Sequence, residues 1–194
     1  MFGVNLFSFV WFLLALIVGA TRVLASIPPP FPQAVLICLV ILLLVLFWKT
    51  NVFRNWSLDV DIRILLLIHL TRFVGIYFLI LYSRGELPYD FAVIGGWGDI
   101  IVAATSLLVL LLSRTGGLIG SVIYFVWNLF GFIDILFVVI TAGRFAMADP
   151  KSMMALTNLP LSLLPTFIVP IIIYSHIVIF VRLWRGKTNG STTL

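Results

Sequence analysis

His69 and Arg72 stand three residues apart in "LLLIHLTRFVGIYFLILY", residues 65–82, a stretch otherwise apolar enough for a bilayer. Four more polar groups sit inside later apolar runs: Asp99, Asn128, Asp134 and His176. An ionisable side chain at mid-membrane costs about 2.5–3.5 kcal/mol on the insertion scale unless paired, so each marks a candidate site. Two chemistries suit these residue types. Arginine keeps its charge and presents a planar fork to a carboxylate, which favours a buried ion pair. Two imidazoles at one depth are what a membrane b-type haem requires as axial ligands.

Depth sorts the candidates. At about 1.5 Å of rise per residue, Arg72 lies nine residues beyond Arg63 and so roughly 14 Å into the membrane. Asp99 lies nine residues beyond Asp90 on a span running the other way. In a hydrocarbon core of about 30 Å the two reach nearly one level. Consecutive antiparallel helices pack as neighbours, so the spacing predicts an Arg72–Asp99 pair with Asn128 as its hydrogen-bond partner. His69 lies six residues beyond Arg63 and His176 six before Arg182, which sets both about 9 Å inside the same edge.

That second coincidence motivates a specific expectation. His69 and His176 would ligate a haem b. Ala103, Ser106, Gly120 and Ser121 would leave room for the macrocycle, and Arg63 or Arg182 would meet its propionates. The function would be electron transfer, with quinone as partner. A transport reading uses other groups: Asp99 and Asp134 as proton or ion sites, Asn128, and a sixth span kinked by Pro165 and Pro170. A third reading is an accessory or assembly subunit whose activity belongs to another membrane subunit or to a homo-oligomer. Two histidines without cysteine ligands fall short of a zinc site.

Enzyme signatures are thin. There is no H-E-x-x-H, no G-x-S-x-G and no histidine cluster of the di-iron kind. "GGWGD", residues 95–99, lies within a span, with no strand before it and no Walker lysine after it, so it is no phosphate loop. It belongs instead to a face of small residues, with Ala92, Gly95, Gly96, Asp99, Ala103 and Ser106 at helical spacing, that lets helices approach closely in lipid. Cys38 has no basic neighbour in its span to activate it. The expectation leans against an enzyme.

The elements that must position these groups follow from composition. The 194 residues are 62% hydrophobic and only 10% charged, with a net charge of +5. Soluble domains carry about 25% charged residues, so lipid must be the solvent of this chain. The basic residues flank apolar runs and form no patch for nucleic acid. Six runs are predicted as spans, about 4–24, 33–48, 63–82, 90–112, 118–142 and 161–184, in one all-α transmembrane domain ending near 185. Residues 186–194 form a polar tail. The run in 4–24 is too long for a signal peptide and lacks a basic n-region, so it is read as a first span although Val23-Leu24-Ala25 resembles a cleavage site.

Charge asymmetry predicts orientation. Lys49, Arg54, Arg63, Arg114, Arg182, Arg185 and Lys187 fall on one side, against Arg22, Arg84, Arg144 and Lys151 on the other. The positive-inside bias then sets both termini in the cytoplasm.

Overall fold

Proline and glycine punctuation decides where these apolar runs begin and end. The structure, a computed structural model, describes residues 2–112 and 117–186. Arg114, Lys187 and the tail beyond Gly186 lie outside the described residues. Helix α1 (Phe2–Ala20) stops short of the predicted edge at 24 because Arg22 adopts a left-handed φ of 54°. A single turn, α2 (Val23–Ser26), follows, and the proline run at 28–30 prevents its continuation. Helix α3 (Phe31–Lys49) accepts Pro32 in its first turn, where no backbone donor is needed.

Helix α4 (Asn51–Asp59), which span counting misses, buries Phe53, Ser57 and Leu58. Helix α5 (Ile62–Leu67) is capped by Asp61, whose side chain accepts from the Arg63 amide. It runs into a 3₁₀ turn, Ile68–Phe73, and on into α6 (Val74–Ser83). Gly85, at φ 73°, ends that span: Glu86 N–H donates to Leu81 O and Gly85 N–H to Tyr82 O. These are the paired bonds of a Schellman motif.

A π-helical turn, Asp90–Gly95, opens the next span and leads into α7 (Gly96–Leu112). Helix α8 (Gly117–Ala148) extends beyond the predicted end at 142, because Gly143 alone does not stop it and the next proline is Pro150. Asp149 then caps a 3₁₀ segment, Pro150–Thr157. A second π turn, Leu164–Ile168, precedes α9 (Val169–Trp184), so the last span starts three residues later than expected.

Among the described residues six helical stretches are long and apolar enough to cross a membrane. The last is the hub: 61% of its window is buried, against 17% for each of the first two. Helix α9 packs on α3 and α8, while α7 lies between the α5–α6 span and α8. Phe78, Phe91, Ile135 and Ile172 anchor one apolar cluster, and Leu66, Val102, Tyr124 and Ile179 another. Polar groups occupy the layer between them.

Candidate functional site

The 3₁₀ turn carries both opening residues. Side chains at i and i+3 eclipse in this geometry, so His69 and Arg72 leave the span on one side. Both are buried, at 0% and 1% exposure. Arg72 Nε donates to Asp99 Oδ1 at 2.6 Å, and Nη1 donates to the Gly131 carbonyl at 2.9 Å. Nη2 donates to Asp134 Oδ2, forming a second ion pair. The predicted pair is therefore a triad of one guanidinium and two carboxyl groups, drawn from three successive spans. Asp99 is nearly closed off, with 4% of its side chain exposed, and Asp134 has 11%.

Close backbone approach makes the triad possible. Gly75, one turn after Arg72, faces Gly96, one turn before Asp99. A Cβ on Gly75 would overlap the Gly96 carbonyl oxygen, and one on Gly96 would stand 3.0 Å from the Gly75 oxygen. A Cβ on Gly98 would collide with the Asp134 carboxyl group. All six residues of the small face, Ala92 to Ser106, are buried. Their spacing brings backbones together so that short carboxylates reach one guanidinium.

Asn128 does not join the ion pair, contrary to the spacing argument. Its Nδ2 donates to the His176 carbonyl at 3.0 Å, and its Oδ1 meets His176 Nδ1 at 2.8 Å. The correction has a simple cause: depth along a helix says nothing about direction around it, and Asn128 points at α9. His69 Nε2 meets Ser175 Oγ at 3.1 Å. His69 Nδ1 and His176 Nε2 are buried with no hydrogen-bond partner.

The two rings lie 4.4 Å apart between centroids, inclined by 49°, with Trp127 edge-on to His69 at 5.0 Å. With metal–imidazole bonds of about 2 Å, axial nitrogens must stand about 4 Å apart, the ring centres farther still, and a macrocycle must fit between. Here the imidazoles touch each other, so the pair does not fit a haem. Arg182 is not free for a propionate either. It is 3% exposed and donates through Nη2 to the Ser57 and Val60 carbonyls at the end of α4. Among the described residues no group of three or more His, Cys, Asp or Glu is placed to hold a metal ion, and Cys38 is exposed.

Gly131 joins the two polar centres. Its carbonyl binds Arg72, and a Cβ at its α-carbon would lie 2.8 Å from His176 Cε1. Sequence reading assigned Gly131, Ser175 and Trp127 no role. Asn128, Gly131 and Asp134 recur every three residues along α8, and that shared face was the available signal.

A cavity of about 350 Å³ opens beside the triad. Arg72 and Asp99 line it, together with apolar side chains that include Phe78, Phe91, Val138 and Ile172. Leu24 to Pro29 and part of the 150–157 segment border it, at the end of the bundle where α1 joins α3 and α8 joins α9. Pro165, within the π turn, faces this cavity, and Pro170 follows at the start of α9, where its missing N–H leaves the Thr166 carbonyl to accept from Trp11 Nε1 at 2.9 Å.

An all-helical bundle with six membrane-length apolar helices and a charged triad in its interior is the makeup of a multi-pass membrane protein. Residues 29–184 match the family model described as Domain of unknown function (DUF8737), and the chain belongs to that family. No curated protein and no solved structure matches it.

Proposed function

We propose that this protein is a proton-coupled transporter of a small solute, with Asp99 and Asp134 as the proton-carrying pair and Arg72 as their fixed counter-charge. The observation behind this reading is the charge count of the triad. One guanidinium faces two carboxyl groups, so the cluster is neutral only when one proton or one other cation joins it. Leaving a charge uncompensated in a low-dielectric interior costs several kcal/mol. A bound proton is the smallest way to avoid that cost, and intramembrane carboxyl groups beside a cavity are the usual carriers.

The cavity supplies the solute's place, and its volume falls at the lower end of the range of about 300–1,000 Å³ for small-molecule sites. Both termini lie in the cytoplasm by the lysine and arginine bias, so the cavity mouth faces the opposite side. The lipid bilayer is the protein's solvent.

Proteoliposomes carrying an internal pH dye test this reading. The native chain should let an imposed pH gradient relax faster in the presence of solute, and Asp99→Asn and Asp134→Asn should each abolish that acceleration. Proton flux indifferent to both substitutions would overturn it.

A further inference from the structure

The cavity's chemistry narrows the solute. Its walls are mostly apolar, so the ligand must be mostly hydrocarbon. Among the described residues Arg72 is the sole basic residue and Asp99 the sole acidic residue in its lining. The three guanidinium N–H groups described above are committed to Asp99, Gly131 and Asp134. An incoming anion would therefore have only the two remaining guanidinium N–H groups to accept from. It would also add a further negative charge to a cluster that carries one too many.

A cation meets the opposite situation. It supplies the one charge the triad lacks, and Asp99 offers Arg72 only Oδ1 among the bonds described. The wall adds two more features that favour positive charge. Phe78 and Phe91 pack with ring centroids 5.0 Å apart and both line the cavity, and aromatic rings attract cations. Gln33, at the start of α3, also lines the cavity, and its Oε1 is buried without a hydrogen-bond partner.

We infer that the cavity binds a monovalent lipophilic organic cation, and that this cation and the proton exclude each other because one surplus carboxylate serves both. This rests on the proton-carrying role given to the triad above. It makes the transport cycle an exchange: the cation enters as a proton leaves Asp99 or Asp134, and total charge at the site is unchanged. No covalent bond is made or broken.

The test uses purified full-length protein in mild detergent, with tetraphenylphosphonium as the probe. Tetraphenylborate, of the same shape and opposite charge, is the control. The phosphonium should bind saturably and release one proton per cation in weakly buffered solution. Its affinity should rise up to tenfold per pH unit wherever the free site is protonated. The borate should not bind saturably. Asp99→Asn should abolish saturable phosphonium binding. Val138→Trp, which fills the cavity and changes no charge, should abolish binding while the site still takes up and releases its proton.

Saturable binding of the borate, phosphonium binding without proton release, or undiminished binding by Asp99→Asn would each overturn the inference. If the phosphonium does not bind but Asp99-dependent proton flux persists in liposomes, the cationic substrate class falls and the proton-coupled reading stands. If neither is seen, both fall.

Discussion

Removing Arg72 should damage the protein far more than removing either of its acidic partners, and the asymmetry follows from counting charges. In Arg72→Met the guanidinium's bonds to Asp99, Asp134 and the Gly131 carbonyl all vanish. Two buried carboxyl groups then face each other with no cation. Breaking a buried ion pair from one side costs about 3–5 kcal/mol, and the lost carbonyl bond falls within that range. Asp99→Asn is milder, because Asp134 remains to balance Arg72 and the amide oxygen can still accept from Nε. What disappears is mainly the charge assistance, about half of the 1.5–3 kcal/mol that a bond to a charged group contributes. Asp134→Asn should behave alike. The triple change Arg72→Met, Asp99→Asn, Asp134→Asn removes every charge and should recover part of the loss seen in Arg72→Met alone. Thermal and denaturant midpoints of the four proteins in one detergent give the ranking. Equal losses for Asp99→Asn and Arg72→Met, or a triple variant weaker than Arg72→Met, would refute a shared counter-charge.

Other perturbations probe the supports of the site. Gly75→Ala places a methyl group against the Gly96 backbone, which cannot turn aside; it should lower stability by about 1–3 kcal/mol and reduce proton flux, whereas Gly3→Ala, with nothing within 4 Å, should leave the midpoint unmoved. Gly131→Ala crowds His176 at 2.8 Å, and shortening that ring with His176→Ala in the same chain should relieve part of the loss of thermal stability. Asn128→Ala removes the partner of His176 Nδ1 and the second donor to its carbonyl, so it should cost about 1–3 kcal/mol by denaturant midpoint. Tyr174→Phe deletes the 2.6 Å bond to Ser57 and should cost about 1 kcal/mol with proton flux intact.

Much of this architecture was legible because hydrophobic length and charge depth are one-dimensional properties. Six apolar runs, their breakers and the common level of Arg72 and Asp99 can all be read by counting along the chain. Azimuth and lateral spacing cannot. Counting along the chain gives Asn128 the wrong partner for that reason and gives Asp134 none, although both lie on the face of α8 that carries Gly131. The haem expectation failed the geometry in the same way: equal depth is as compatible with two rings in contact as with two rings across a slot. Helix α4 escaped notice because nine residues are too few for a span, and its tie to the bundle runs through Arg182, a residue that charge counting treats as a surface anchor. The 3₁₀ turn at Ile68–Phe73 has no proline or glycine to announce it.

Among the described residues that turn and the two π turns are the irregular stretches within the membrane-length helices, and each borders the triad or the cavity. In lipid every backbone polar group must find a partner inside the protein, so departures from the α-helical ladder are tolerated only where neighbouring groups compensate. In an α-helix His69 and Arg72 would sit about 60° apart around the axis, from 3.6 residues per turn. The 3₁₀ form aligns them and spaces them about 6 Å along the axis at about 2 Å per residue. One short segment can therefore present its imidazole to Ser175 and its guanidinium to Asp99 and Asp134 at once. The π turn at Asp90–Gly95 changes the rotation of α7 just before Gly96 and Asp99, the residues that must meet α6. The π turn at Leu164–Ile168 does the same for α9, placing Pro165 on the cavity before the helix runs on to Ser175 and His176. Regular helices could supply the six crossings. The irregular turns are what bring charges from three spans onto one guanidinium and leave a cavity beside it.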